Sequence, residues 1–65
     1  MNLIVNGEHR TVSAGTLDAL LEELGFNQEF LATALNSDFV PAEERSICVL
    51  TDGDRIEILS PRQGG

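Results

Sequence analysis

Gly64 and Gly65 bring a backbone carboxylate to the end of the sequence, and this group is the one most open to chemical use. Glycine has no side chain and accepts almost any backbone dihedral angles, and terminal residues fray unless contacts hold them. We therefore predict a thin, flexible tail over residues 61–65 that can enter a narrow channel and present the Gly65 carboxylate to another protein's active site. These residues alone leave open a frayed terminus without a role.

Cys48, His9 and the segment Asp52-Gly53-Asp54 are the other groups that could do chemistry. The thiol lies in an apolar stretch that we interpret as a strand, where a cysteine usually acts as a small buried hydrophobe. A lone histidine lacks the partners that a catalytic triad or a metal site requires. The aspartates lack the further ligands of a calcium loop and indicate a turn. We therefore predict no catalytic residue, no metal site and no bound cofactor.

The charged residues are unbalanced, with 4 arginines, no lysine, 11 acidic residues and a net charge of -7. Such a surface repels nucleic acids and anionic membranes, and it favours a basic protein surface as partner. A chain of 65 residues buries only about 60% of its unfolded surface. This leaves little room for an enzymatic pocket beside the core and favours a small binding or carrier module.

The sequence begins with Met1-Asn2-Leu3-Ile4 and contains neither a basic leader nor a long apolar run. It therefore predicts neither a signal peptide nor a transmembrane helix. A single cysteine excludes an internal disulfide and fits a reducing compartment. We expect a cytoplasmic protein.

A hairpin and an amphipathic helix are predicted for the first half of the chain. Asn6-Gly7 is a signal for a tight turn between two strands, since a type I′ turn needs positive φ at both central residues. An apolar stripe with helical spacing then follows at Leu17, Leu20, Leu21 and Leu24. Thr16 is the predicted N-cap and Gly25 the predicted C′ residue of this helix.

Strands dominate the second half. We predict a strand over residues 30–36, a short extended segment at Phe39-Val40-Pro41, a loose turn over residues 42–46 and a turn at residues 52–54. Residues 55–59 alternate polar and apolar, so Ile56 and Ile58 are expected to face the helix. One helix on one face of one sheet gives a two-layer α+β domain.

If the first and last strands are central neighbours, this is the β-grasp arrangement: a mixed sheet of four to five strands with one main helix on one face. We predict a single domain over residues 1–60 and the tail over residues 61–65. Leu59 would then point outward, where Ile4 could join it on the adjacent strand to form a docking surface. Arg62 could pair with an acidic partner or with phosphate, although a solvated tail charge is the alternative.

The ordered motifs of the chain resemble the ubiquitin-like sulfur carrier proteins of bacterial thiamine biosynthesis, the ThiS family. The motifs are Asn6-Gly7-Glu8, Thr16-Leu17-x-x-Leu20-Leu21, Asn36-x-x-Phe39-Val40-Pro41, Leu50-x-x-Gly53-Asp54-x-Ile56-Glu57-Ile58 and Gly64-Gly65. The chain departs from the family after Pro41, where members often carry Arg and then an aromatic residue. Here Ala42 and a polar run occupy those places.

The resemblance implies a carrier rather than an enzyme. An adenylating enzyme of the ubiquitin-activating type would use ATP and Mg²⁺ to transfer AMP to the Gly65 carboxylate. Sulfur from a persulfide donor protein would displace AMP and leave a thiocarboxylate, which thiazole synthase would use to form the thiazole ring. Gly64 would let the tail thread into these partners.

Three other interpretations remain open at this point. The first is the small subunit of molybdopterin synthase or another ubiquitin-like sulfur carrier. The second is a modifier joined to lysines of other proteins, and the third is a binding module with an idle tail.

Overall fold

A single mixed sheet organises residues 1–60, the part of the chain that the computed structural model describes. Its strands are β1 (Asn2–Val5), β2 (Glu8–Thr11), β3 (Ala32–Leu35), β4 (Asp38–Val40) and β5 (Arg55–Leu59). The strand order is β2-β1-β5-β3-β4. β1 and β5 are parallel central neighbours, and the other pairs are antiparallel. The predicted α+β β-grasp fold is therefore confirmed, with five strands.

The turn between β1 and β2 confirms the prediction from Asn6-Gly7. Asn6 has φ 50° and Gly7 has φ 82°, as a turn with two left-handed central residues requires. β3 and β4 are joined in the same way, with φ 50° at Asn36 and 76° at Ser37. The second turn uses serine where glycine would be the usual choice, so its sequence signal is weaker.

Helix α1 (Leu17–Glu23) packs its leucine stripe onto the inner face of the sheet, as predicted. Leu17, Leu20 and Leu21 are fully buried, and the helix ends at Glu23, with Leu24 as its C-cap before Gly25, whose φ is 82°. Thr16 does occupy the N-cap position, but its side chain caps no backbone amide. Its hydroxyl instead donates a hydrogen bond to Oδ1 of Asp18 at 2.5 Å. Among residues 1–60, no helix is long and apolar enough to cross a membrane.

Two 3₁₀ helices replace elements that were predicted differently. Gln28–Phe30 forms the first, so the third strand begins at Ala32 and not at Phe30. The side chain of Asn27 accepts a hydrogen bond from the Glu29 amide at 3.0 Å and thereby starts this turn. Ala42–Ile47 forms the second, where a loose turn was expected.

The apolar stretch at residues 47–50 is not a strand. Only Val49 makes an isolated bridge, to Thr16, and Ile47 belongs to the second 3₁₀ helix. The Leu17 amide donates to the carbonyl of Cys48 at 3.0 Å, and the Leu50 amide donates to that of Gly15 at 2.9 Å. This segment therefore fastens the start of the helix, because its backbone groups are used there and not in the sheet.

The hydrophobic core fills the space between the inner face of the sheet and α1. Its buried members are Leu3, Val5, Val12, Ala14, Leu17, Leu20, Leu21, Val40, Leu50, Ile56 and Ile58. The two isoleucines confirm the alternation predicted for β5, since Arg55, Glu57 and Leu59 are exposed on the other face. The core thus uses every second residue of β5 and leaves the others to the outer face.

Arg45 is a buried residue that the sequence analysis passed over as part of a polar run. Its side chain is only 3% exposed. The guanidinium donates to the carbonyl oxygens of Gln28 (3.2 Å) and Leu31 (2.8 Å) and to Oγ1 of Thr33 (3.2 Å). These three bonds tie the second 3₁₀ helix to the first and to β3.

Candidate functional site

The predicted reactive tail follows directly from β5, the central strand of the sheet. β5 ends at Leu59, and Ser60 is half-buried. Arg62, Gly64 and Gly65 lie outside the described residues, so the roles assigned to them stay predictions. The structure does show how Ile58 and Leu59, which we call the tail root, are held.

The side chain of Asn6 binds the backbone of Ile58, near the end of β5. Its Oδ1 accepts a hydrogen bond from the Ile58 amide at 2.8 Å, and its Nδ2 donates to the Ile58 carbonyl at 3.2 Å. The side-chain amide thus replaces a peptide group of the neighbouring strand at the point where β1 has turned away. On the other side, β3 pairs Thr33 with Ile58 and Ala32 with Leu59. The root of the tail is therefore held from both sides.

Asn36 plays the matching part at the other end of β5. Its Oδ1 accepts from the Arg55 amide at 2.9 Å, and its Nδ2 donates to Oδ1 of Asp54 at 3.0 Å. The bond from Asn36, followed by that from the Thr51 amide at 2.8 Å, holds the pKa of the Asp54 carboxyl below its usual value. Two turn asparagines thus fix β5 at its two ends.

Ile4 and Leu59 both lie on the outer face, on adjacent strands, but they are not neighbours. Leu59 is 67% exposed and Ile4 is half-buried. The parallel register sets Ile4 opposite Arg55, and Leu59 lies four residue steps beyond Arg55, which is about 13 Å. Their docking role stays a prediction, but the register does not place the two residues in a single patch.

A different apolar surface adjoins Leu59. The register pairs Leu59 with Ala32 and Phe39 with Ala34 on the outer face, and Phe39 is 69% exposed. We call these four residues the Phe39–Leu59 patch. The alanines on β3 are small. The large side chains of Leu59 on β5 and Phe39 on β4 therefore project further from the sheet than the surface of β3 between them. We therefore take the Phe39–Leu59 patch as the candidate docking surface of the described residues.

Sequence analysis missed the place of Phe39 in this patch. The residue was assigned to a short extended segment, and no neighbouring strand was named for it. Its signal is the alternation around it, because Val40 is buried and Phe39 is therefore turned outward. Only the pairing of β3 with both β4 and β5 brings Phe39 and Leu59 to the same surface.

A shallow depression lies on the outer face nearer the start of β5. It is lined by Ile4, Gly7, Ser37, Arg55, Ile56 and Glu57. Both positive-φ turns border it, and Arg55 and Glu57 give it one charge of each sign. The tail leaves β5 at the opposite end, so this depression is separate from the tail root.

Cys48 lies in surroundings that disfavour a thiolate. It is half-buried and packs against the core. Burial raises the pKa of the thiol, and the negative charges of Asp54 and Glu44 raise this pKa further. A nucleophilic cysteine needs the opposite shift, which supports the interpretation of Cys48 as a packing residue.

His9 and the aspartate turn do not form a metal site. His9 lies exposed on β2, opposite Ile4. Oδ1 of Asp52 accepts a hydrogen bond from the Asn2 amide at 2.6 Å, which joins the turn before β5 to the start of β1. Within residues 1–60, no group of three or more His, Cys, Asp and Glu side chains could hold a metal ion.

Comparison with known proteins identifies relatives along the whole chain. The model of the ThiS family matches residues 3–65. The chain is 36% identical over 61 residues to the sulfur carrier protein ThiS of Thermus thermophilus, covering 94% of this chain and 95% of that protein. It is 39% identical over 66 residues to a protein named thiazole synthase from Paramagnetospirillum magneticum, of which it spans only 20%.

A solved structure agrees with the sequence relatives. The crystal structure of the thiamine biosynthesis protein ThiS from Geobacter metallireducens superposes with a TM-score of 0.85, at 33% identity and with both chains fully covered. Fold, sequence and the match through Gly64-Gly65 therefore agree. The chain belongs to the ThiS family.

Proposed function

We propose that this protein is the sulfur carrier of thiamine biosynthesis and that the sulfur is carried as a thiocarboxylate on Gly65. The observation that carries the proposal is the family match over residues 3–65, because it includes the fold and both terminal glycines. The protein is a carrier and co-substrate in this proposal, and the catalysis belongs to its partners.

The chemistry follows from the inertness of a carboxylate. An oxygen anion is a poor leaving group, so the Gly65 carboxylate must first be activated. An adenylating enzyme of the ubiquitin-activating type would bind ATP and Mg²⁺ and form an acyl-adenylate with release of pyrophosphate. The terminal sulfur of a persulfide protein would then bond to the Gly65 carbonyl carbon and displace AMP, giving an acyl disulfide. A thiol would reduce the S–S bond of this intermediate and release the Gly65 thiocarboxylate. The thiocarboxylate would pass to thiazole synthase, which forms the thiazole ring.

The folded part would supply recognition. The Phe39–Leu59 patch lies beside the tail root, so a partner that binds it would receive the tail at a fixed position. Ile4 and Arg62 are further proposed contacts, and Arg62 could pair with a phosphate of the nucleotide or with an acidic side chain. The net charge of -7 favours basic partner surfaces over nucleic acid or membrane.

Two observations support the choice of partner and compartment. A protein named thiazole synthase contains a segment similar to this entire chain, which favours thiazole synthase as the acceptor of the sulfur. The single cysteine fits a reducing compartment, and we propose the cytoplasm.

Intact-mass spectrometry tests the carrier function directly. The protein is incubated with ATP, Mg²⁺, a persulfide donor and the host's adenylating enzyme. We expect replacement of one oxygen by sulfur, mapped to Gly65, and transfer of that sulfur when thiazole synthase is added. The variant that lacks Gly65 is the matched control and should gain nothing.

Other outcomes would redirect the assignment. Transfer to molybdopterin synthase but not to thiazole synthase would place the carrier in another pathway. Absence of sulfur with a demonstrably active enzyme, together with Gly65 linked to lysines of host proteins, would identify a modifier. Full function without Gly65 would leave only a binding module.

Docking is tested with a pair of exposed apolar residues. Leu59→Asp places a charge in the Phe39–Leu59 patch, and Ile47→Asp makes the same change at a residue that is 75% exposed but outside the patch. We expect L59D to weaken binding to the adenylating enzyme while I47D binds like the wild type, with both variants folded by circular dichroism. Equal binding by all three proteins would remove the patch from the proposal.

A further inference from the structure

Every cationic side chain in this sequence is an arginine, at positions 10, 45, 55 and 62. A guanidinium stays protonated in proteins and has no lone pair available for attack. A lysine amine, in contrast, loses its proton to a small extent near neutral pH and acylates readily. The difference matters for a protein whose own carboxyl group is to be converted into an acyl donor.

The amino group of Met1 is held away from the tail root. It donates a hydrogen bond to the Val12 carbonyl at 2.7 Å. β1 runs parallel to β5, and the Gly53 amide donates to the Asn2 carbonyl at 2.7 Å. The amine therefore lies near the start of β5, whereas the tail continues from its end.

His9, the one imidazole, is exposed on β2, but an acyl group on its nitrogen is lost again to water and leaves no stable amide. Cys48, the one thiol, is the remaining strong nucleophile of the chain. It is half-buried beside the start of α1, and its carbonyl accepts from the Leu17 amide. Its surroundings keep the pKa of the thiol above the usual value, and the protonated thiol attacks acyl groups poorly. Serine and threonine hydroxyls need an adjacent base before they attack.

We infer that the carrier's own surface is built to avoid a lasting bond to its activated C-terminus, through arginine in place of lysine, the placement of the Met1 amine away from the tail root and the partial burial of Cys48. The inference rests on the proposed function, since it concerns an activated Gly65. It means that the choice of acceptor is left to the partner enzymes, because the carrier offers no amine of its own near the tail root.

The reaction that is avoided can be written in full. An amine nitrogen would bond to the Gly65 carbonyl carbon, and the bond from that carbon to the AMP oxygen would break. AMP would leave with the electron pair, and the surplus proton of the nitrogen would pass to water. The product is an amide, which links two carriers or closes one chain into a ring and permanently removes the sulfur-accepting carboxyl group.

Position 55 is suited to reveal this reaction. Arg55 is exposed on the outer face, about 13 Å along β5 from Leu59. Residues 60–65 span at most about 20 Å when extended, so an amine at this position is within reach of Gly65. Arg10 is exposed too, but it lies on β2, two strands away from β5.

The test uses chemically activated carriers, so that it does not depend on the adenylating enzyme. Wild type, Arg55→Lys and Arg10→Lys are each prepared as Gly65 thioesters by cleavage of an intein fusion. They are incubated near pH 8, and intact and tandem mass spectrometry then follow hydrolysis and amide formation. We expect wild type to hydrolyse only, and R55K to form several-fold more cyclic amide than R10K, linked at position 55.

Two results would overturn the inference. One is a wild-type thioester that acylates Met1 or Cys48 as fast as it hydrolyses. The other is an R55K thioester that forms no more amide than wild type. Failure of the proposed function would appear separately, as no sulfur gain with the adenylating enzyme, because the thioester experiment contains no enzyme.

Discussion

β5 directs Ile56 and Ile58 to the inner face of the sheet and Arg55, Glu57 and Leu59 to the outer face. Ile56 is 1% exposed and lies against the core, whereas Leu59 is 67% exposed three residues later. Both are large aliphatic residues of the same strand. The inner residues hold the domain together, and the outer ones are available to another protein. Because strand alternation separates the two roles, each can be changed without the other.

Ile56→Ala should give the largest loss of stability. The substitution removes buried methyl groups and leaves a cavity beside α1, which costs about 2–5 kcal/mol of unfolding free energy. Small domains are stable by only about 5 kcal/mol or little more, so we expect I56A to be largely unfolded at 37 °C. Urea denaturation followed by circular dichroism measures the effect, and a change below that of Leu59→Ala would contradict the division of the faces.

Arg45→Leu tests whether the inner side depends on one polar residue as well. The change leaves the carbonyls of Gln28 and Leu31 without their donor, at a cost of about 3 kcal/mol. Arg10→Leu is the control, because Arg10 is exposed and, among residues 1–60, pairs with Glu8 across a long 3.7 Å contact at the surface. Equal denaturation midpoints for R45L and R10L would refute the structural role of Arg45.

Asn6→Ala tests how firmly β5 is held at the point where it leads into the tail. It removes both hydrogen bonds to Ile58 and sets alanine at φ 50°, together about 2 kcal/mol. Asn6→Gly keeps the turn without the side-chain amide and should lose about half as much. Hydrogen exchange of the Ile58 amide should accelerate in both variants, and unchanged exchange would show that Asn6 does not hold the tail root.

Leu59→Ala should have the smallest effect on stability, within about 0.5 kcal/mol, because the side chain is already mostly in water. The same denaturation experiment as for I56A provides the measurement. A loss comparable to that of I56A would show that Leu59 contributes to the fold and is not reserved for a partner.

The elements with a regular period were predictable from the sequence. The leucine stripe gave α1, the alternation at residues 55–59 gave β5, and Asn6-Gly7 gave the first turn. In each case the residues that fix the element are its own neighbours in sequence. For this reason the outward position of Leu59 was also predicted correctly.

Residues 26–50 were harder, because their structure depends on distant partners. A 3₁₀ helix has no long period to detect, so the second one was taken for a loose turn. Arg45 looked like any polar residue, and only the convergence of two carbonyls and Thr33 explains its burial. The Phe39–Leu59 patch similarly requires the register of three strands, which is set by pairing and not by local sequence.

The central place of β5 also affects the order in which the protein can mature. β5 is the last strand within residues 1–60, yet it lies between β1 and β3, so neither half of the sheet can join the other before it. During synthesis the N-terminal hairpin and the helix must therefore wait until residue 59 has left the ribosome. A prematurely terminated chain would lack both the tail and the strand that closes the sheet. A partner enzyme that binds the closed sheet would therefore bind only chains in which synthesis has passed residue 59.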